Sequence, residues 1–332
     1  MLNRILHKMK TPNLGMIYSI ICFLVFDMTF VPHLSAQVKW KNVSTEYGKL
    51  PASINIFSSS DLLDDAASIM FVAEIKSKDK NLDFYVDTAS RRRLTPQQFY
   101  IRHNNPYVVV NCSFFEFVQN RNVNLIVQNS KIVGFDTPTV SRKGKDTLTY
   151  MHTLGSAFGI YKNRKMDIAF NYNDSALVVP YVLQSPYKPT IDSSRKLSIN
   201  HPSLAGLKKW KVSQAFGGGP VLVQEGQIRI SNNEERKFAG KAISDKHPRT
   251  AIGYKKDGTM VILAVQGRMK GLAEGATLPQ MAKILVDLGC VEAMNLDGGG
   301  SSCMLINGKE TIKPSDPTGQ RPVPAVFVVR AN

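Results

Sequence analysis

Ala293-Met294-Asn295-Leu296-Asp297-Gly298-Gly299-Gly300-Ser301-Ser302-Cys303-Met304-Leu305 is an apolar run that ends in a carboxylate, three glycines and two hydroxyls before a second apolar run begins. The first run reads as a buried strand. Asp297 then stands at its carboxyl end, where sites in mixed α/β sheets tend to lie. Three consecutive glycines remove every Cβ from the turn, so backbone N–H groups can approach a ligand closely or form an anion-holding concavity. The competing reading is a tight turn with a solvated aspartate. A turn alone, however, rarely needs Gly-Gly-Gly plus Ser-Ser beside a strand-end carboxylate.

Working outward, Thr277-Leu278-Pro279-Gln280 is a capping box. The apolar positions 278, 281, 282, 284, 285 and 288 mark one helix face, and Gly289 stops it. Asn307-Gly308 turns a hairpin after the glycine turn, and Ala325 to Val329 reads as a terminal strand. A second capping box, Thr95-Pro96-Gln97-Gln98, opens a helix that leads to the β-branched strand Tyr107 to Val110. That strand ends at Asn111, whose amide could orient a substrate or hold a loop. Ile69 to Ile75 and Leu82 to Val86 read as strands joined by the charged turn 76–81. Leu125 to Val133 reads as a hairpin through Gln128-Asn129-Ser130, and 157–161 with 166–170 as another. Residues 171–210, broken by four prolines, read as a long insertion of the kind that rims a site.

A second triple glycine, Gly217-Gly218-Gly219, precedes Pro220 and a strand. Arg249 stands at the start of an apolar strand, where a fork of donors can meet a phosphate or carboxylate or form an ion pair. The strand 260–266 ends at Gln266-Gly267-Arg268. The expected fold is therefore α+β: a mixed, mostly antiparallel sheet core with a few helices packed on it, in a single large domain. If the strand ends carrying Asn111, Arg268, Asp297 and the glycine turns converge, the site is rich in donors and suited to an anionic oxygen ligand.

The chain has 332 residues, 43% apolar and 20% charged, which is ordinary for a globular protein with a sizeable core. Residues 1–36 read as a secretory leader. Arg4, Lys8 and Lys10 form the basic region, Met16 to Phe26 the apolar region, and Leu34-Ser35-Ala36 the cleavage site. The mature part would be 37–95, an N-terminal set of strands or arm, and 96–332, the functional domain. The expected location is exported, periplasmic or extracellular, with no stable membrane span after leader removal. The formal net charge is +16. Setting aside the three bases and Asp27 of the leader leaves +14, which favours anionic partners. The bases are scattered, densest at Arg91-Arg92-Arg93, and no zinc-finger spacing or aromatic-basic platform appears, so a nucleic-acid partner is not expected. Cys112, Cys290 and Cys303 remain after the leader. They are odd in number and match no metal spacing, and buried free thiols are expected.

NLDGGGSSCMLINGK at 295–309, PSD at 314–316 and RP at 321–322 resemble the C-terminal signature of the phosphodiester glycosidase family. GGGP at 217–220, RTAIG at 249–253, GATLPQMAKIL at 275–285 and NCSFF at 111–115 fall in that family's order. The resemblance covers roughly residues 100–330 and implies hydrolysis of a sugar-1-phosphodiester, releasing the sugar and leaving a phosphomonoester. It implies a sugar-phosphate or phosphorylated glycan as substrate, with bacterial relatives linked to exopolysaccharide. It also marks Asn111, Arg249 and Asp297 as catalytic, and Gly217, Gly218, Gly219, Asn295, Gly298, Gly299, Gly300 and Ser301 as substrate-binding. Arg268 joins the binding set from its strand-end position. No cofactor is expected, and a divalent metal is left open.

Three positions depart from the family pattern. Cys112-Ser113 replaces Gly-Gly, Gln266 replaces Asp, and Gln280 replaces Glu. Two expected carboxylates are thus amides, whereas glycosidases normally need two carboxyl groups. Glu274 or Asp245 could supply a second. The competing readings are one-carboxylate catalysis with phosphate assistance and a weakened or non-catalytic module that binds anionic glycans. A serine hydrolase using Ser301 or Ser302 lacks the GxSxG elbow.

Overall fold

The computed structural model describes residues 37–142 and 148–332. The leader reading therefore lies outside the described residues. From Gln37 on, the chain forms one compact unit.

Three antiparallel sheets carry the fold. The largest has eight strands, with its centre in the order Ile54–Ser59, Met70–Lys76, Thr259–Val265, Arg249–Lys255, Cys290–Asn295 and Val221–Gln224. A five-stranded sheet places Val108–Asn111 between Met304–Ile306 and Ala325–Ala331, and Leu82–Thr88 on its edge. A seven-stranded sheet is built around Gly155–Ile160, Met166–Tyr172 and Gln214–Gly217. Every strand pairing among them is antiparallel, so the expected α+β class holds in outline but the protein is largely β.

The three inner faces meet in one core. Phe158 and Phe216 of the seven-stranded sheet lie 5.6 Å apart, and Phe216 lies 5.2 Å from Phe327 of the five-stranded sheet. Tyr254 of the eight-stranded sheet packs edge-on against Phe158 at 6.4 Å. Aromatic rings bury the most area per residue ordered, so these four rings fix how the sheets face one another.

Helices cover the outer faces. Leu278–Asp287 puts Leu278, Met281, Ala282, Ile284 and Leu285 against Val223, Ala251, Val261 and Leu263 of the largest sheet. Pro96–Arg102 seats Phe99 on Val109, Leu305, Val326 and Val328 of the five-stranded sheet. Both expected capping boxes form: Gln98 N–H donates to Thr95 Oγ1 at 3.1 Å, and Gln280 N–H donates to Thr277 Oγ1 at 3.2 Å.

The strands at 70–76 and 82–88 exist, but they do not pair with each other. The first pairs with 54–59 and 259–265, the second with 325–331, so the charged turn between them crosses from one sheet to another. Residues 37–95 thereby supply two inner strands of the largest sheet and the edge strand of the five-stranded one. A separate arm would have left the edge strand Thr259–Val265, whose seven residues are all buried, facing water. The hairpin at 126–134 turns at Asn129 and Ser130, both with positive φ. The stretch 171–210 contributes the short strands Tyr181–Leu183 and Lys208–Lys209 to the edge of the seven-stranded sheet. Cys112, Cys290 and Cys303 are buried and free. Among the described residues no helix is long and apolar enough to cross a membrane.

Phe216 touches two sheets at once, so truncating it opens a cavity no single sheet can close. Phe216→Ala is expected to cost about 3–5 kcal/mol of stability, read as a lowered urea midpoint with an unchanged slope.

Candidate functional site

The site is assembled where the chain leaves the eight-stranded sheet for the five-stranded one. Leu296 N–H donates to Thr250 O at 2.8 Å, and Asp297 N–H donates to Cys112 O at 2.9 Å, so the turn is pinned from both sides. Asn111, fully buried, lies beneath it. Its Nδ2 donates to Asp297 O at 2.6 Å, while its Oδ1 accepts from Thr250 Oγ1 at 3.1 Å and Cys303 N–H at 3.0 Å. The amide is spent holding the turn, which is the loop-holding alternative for this residue.

The glycines have a different use from the one their composition suggests. The Gly299 N–H donates to Pro248 O at 2.8 Å, Ser301 N–H to Gly298 O at 3.2 Å, and Ser302 N–H to Gly299 O at 3.2 Å. Gly298 N–H bonds the Asp297 carboxyl. That leaves the Gly300 N–H without a protein acceptor among the described residues. The missing Cβ atoms make room for two guanidinium groups. A Cβ on Gly299 would stand 2.9 Å from Arg268 Nη2, and one on Gly300 would stand 2.2 Å from Arg321 Nη2. Gly299 also has a φ of +61°, which a side chain would strain.

Arg321 is the residue that sequence reading left outside the site. It follows the PSD segment in a loop with no periodicity to flag it. Its Nε donates to Asp316 Oδ2 at 2.7 Å, its Nη1 approaches Ser301 Oγ at 3.4 Å, and its Cζ lies 5.5 Å from the centre of the Phe117 ring. Ser301 in turn hydrogen-bonds the Asp297 carboxyl, giving a chain Asp316, Arg321, Ser301, Asp297. The two carboxyls titrate apart. Burial pushes Asp297 up to about 6, against the opposing pull of Ser301, Arg321 and the Gly298 N–H. The Thr318 N–H, followed by Arg321, holds Asp316 below the usual carboxylate range. Separation of this kind marks sites of acid–base work.

Arg249 is buried and already occupied. Its Nε donates to Ala276 O at 3.1 Å, and its Nη2 to Ala242 O and Asp245 O at 3.0 Å each. Burial lowers its pKa to about 10, with the Asp245 charge acting against that shift and the Arg268 charge adding to it. Its guanidinium fastens the loop 242–245 and the segment before the helix, behind the site. Arg268 is exposed, and no carboxylate pairs with it among the described residues. His247 completes this side: its Nδ1 is buried without a partner among the described residues. Burial, followed by the Arg249 and Arg268 charges, lowers its pKa.

The second triple glycine does not present donors either. Gly217, Gly218 and Gly219 give their N–H groups to Leu125 O, Ser156 O and Asn295 O. A Cβ on Gly219 would fall 2.3 Å from Glu235 Oε2. Glu235 is buried and accepts from Ser156 N–H, Ser156 Oγ, Val221 N–H and Ser231 Oγ at 2.5–2.9 Å. These glycines admit a structural carboxylate. Asn295 closes the same junction, donating to Gly219 O at 2.9 Å and Leu296 O at 2.7 Å.

The two substituting amides also hold backbone. Gln280 Oε1 accepts the Thr277 N–H of its own capping box at 2.8 Å, and Gln266 Oε1 accepts Lys313 N–H at 2.8 Å. Asp245 and Glu274 meet this region through backbone oxygens, Asp245 O to Arg249 and Glu274 O to the Arg268 N–H at 3.3 Å. Among the described residues no three His, Cys, Asp or Glu side chains cluster as a metal site.

A family model described as phosphodiester glycosidase matches residues 104–330. The chain belongs to the phosphodiester glycosidase family. Among curated relatives, the Bos taurus N-acetylglucosamine-1-phosphodiester alpha-N-acetylglucosaminidase is 33% identical over 111 residues, 31% of this chain and 21% of that protein. The SPbeta prophage-derived uncharacterized protein YomE of Bacillus subtilis is 45% identical over 71 residues, 21% of this chain and 11% of that protein. The matched stretches thus span about a fifth or less of these curated relatives.

Two solved structures share the fold of this family member. One is the zebrafish N-acetylglucosamine-1-phosphodiester alpha-N-acetylglucosaminidase catalytic domain, auto-inhibited by its pro-peptide. Its TM-score is 0.59 at 20% identity, with 93% of each chain covered. The other is a hypothetical protein from Synechocystis, with a TM-score of 0.57 at 15% identity, covering 89% of this chain and 64% of that one.

The seat of Arg321 on Gly300 gives a direct test. Gly300→Ala should displace the guanidinium without unfolding the protein. The Asp297 pKa, followed by carboxyl carbon NMR, should then rise above its value near 6, because the Arg321 charge that opposes burial has moved away.

Proposed function

We propose that this protein is an exported hydrolase that cleaves a sugar-1-phosphodiester, a phosphodiester α-glycosidase acting on a phosphorylated glycan or cell-surface component. The observation that carries the reading is the Asp297 carboxyl, raised to about 6, on a turn over which the Arg268 and Arg321 guanidiniums lie. Two forks of donors and the Gly300 N–H suit a phosphodiester. The carboxylate between them suits a reacting centre one bond away.

In this reading the phosphate oxygens sit on Arg268 and Arg321, with the anomeric carbon toward Asp297. Water adds to that carbon as its bond to the phosphate oxygen breaks, and Asp297 accepts the water proton. The products are a free sugar and a phosphomonoester. The leaving group gathers negative charge as it departs, and the guanidiniums are already placed to stabilise it. A single carboxylate is then sufficient, which fits Gln266 and Gln280 being committed to backbone. Arg249 and Asn111 act by positioning: one fixes the loop behind the site and the other the turn beneath it.

With GlcNAc-1-phosphodiester substrates, kcat should rise with pH through about 6 as Asp297 ionises. Asp297→Asn should lower kcat by about 10²–10⁴-fold, and Arg321→Met by about 10²–10³-fold. Equal turnover by the wild type and Asp297→Asn would remove the proposal. Glycan binding that persists in Asp297→Asn, with no hydrolysis by either protein, would favour the binding-module reading.

Asp297 should also cost stability. A folded pKa of about 6 against an ordinary 3.8 means that the folded protein holds the proton more tightly than the unfolded chain. Stability is therefore highest below pH 4 on this account and declines as pH rises toward 6, by at most about 3 kcal/mol. Asp297→Asn should melt higher than the wild type at pH 7, with the gap closing at pH 4.

A further inference from the structure

One open space lies away from Asp297. A cleft of about 840 Å³ runs between the segment at 88–91, the stretch 119–122 and the strand end at 133–137. Its volume is at the upper end of the range for small-molecule sites, about 300–1,000 Å³, so it takes an extended ligand more readily than a single sugar.

The lining specifies a chemistry. Arg91 and Arg121 are both exposed on it. Arg121 faces Glu116 across a two-stranded ribbon formed by Phe115–Glu116 and Arg121–Asn122, and Asp136 lines the opposite side, already engaged by Asn124, Leu125 and Asn173. Arg91 has no ion-pair partner among the described residues. Gln119, Asn120 and Asn122 line the same cleft. A side-chain amide both donates and accepts, as a sugar hydroxyl does, whereas a bare phosphate or carboxylate only accepts. Phe135, 39% exposed, offers an apolar face beside them. Anion-binding guanidiniums, hydroxyl-seeking amides and a ring together describe an acidic oligosaccharide.

The cleft is joined to the glycine turn by one short segment. Phe115 and Phe117 of the ribbon carry the Arg93 guanidinium, at 5.8 and 5.1 Å, and Phe117 also carries Arg321. The next residues, 119–122, line the cleft. We propose that this cleft is a binding site for an acidic, hydroxyl-rich oligosaccharide, through which the protein holds a chain whose phosphodiester end reaches Asp297. The link to Asp297 rests on the function proposed above; the binding site does not.

The experiment is calorimetric titration of the full chain with tetragalacturonate, with cellotetraose and an eight-residue oligothymidylate as alternatives. Turnover of a GlcNAc-1-phosphodiester is measured in parallel. Tetragalacturonate should bind best. Arg121→Ala and Arg91→Ala, both at exposed positions, and Asn122→Ala should each weaken it by roughly tenfold, about 1.4 kcal/mol. Turnover of the small substrate should be unchanged by all three. Binding that is insensitive to all three substitutions, or absent, or no tighter than that of cellotetraose or the oligothymidylate, overturns the site. Tetragalacturonate binding lost in the variants, with no turnover by any form, upholds the site and sinks the catalytic proposal alone.

Discussion

The side chain of Asn111 is the constraint on which the site depends. It ends a strand whose four residues are all buried, and its amide reaches three different parts of the chain: Asp297 O, Thr250 Oγ1 and the Cys303 N–H. Thr250 belongs to the eight-stranded sheet, while Asn111 and the segment after Cys303 belong to the five-stranded one. One amide thus registers two sheets against each other and fixes the Asp297 carbonyl between them. The bonds to Thr250 and Cys303 are buried and the one to Asp297 O partly so, and losing a buried one strands its partner. An aspartate there would also lose the donor to Asp297 O and add a charge beside a carboxyl that burial already disfavours. The requirement is for an amide specifically.

The same economy governs the glycine turn. A helix N-terminus or a glycine nest binds anions with its own N–H groups. Here most of those groups are used internally, and the positive charge comes from Arg268 and Arg321 lying against a backbone stripped of Cβ atoms. The glycines hold charge close to Asp297 without supplying it. Ser301 lies between Arg321 and Asp297, within 3.4 Å of Arg321 Nη1 and hydrogen-bonded to the Asp297 carboxyl.

What the sequence revealed and what it hid follow from the range of each signal. Capping boxes, the turn at Asn129-Ser130 and the strand ending at Asn111 are set within a few residues, and all were readable. The pairing of 70–76 with 259–265 depends on burial of both faces of a strand far along the chain, which no local pattern encodes. Arg321 stands within the family signature, yet no local pattern places it at the glycine turn, because it is seated there by the absence of a Cβ at Gly300. The two triple glycines look alike as strings. One seats guanidiniums and the other seats the buried Glu235, and only the identity of the neighbour tells them apart.

The charge pattern across the site leads to a last consequence. Asp297 is destabilised as an anion by burial and partly compensated by Arg321, while Arg321 is itself anchored to Asp316. If Arg321 were free to pair fully with Asp297, the carboxyl would fall back toward its ordinary value and lose basicity. Asp316 takes Nε and Ser301 Oγ lies 3.4 Å from Nη1, while the Arg321 charge still pulls on Asp297 through space. Asp316 and Asp297 thus draw on the same cation. Burial is what raises Asp297, and the charge it shares with Asp316 offsets that rise only in part, so the shift needs no further carboxyl group beside it.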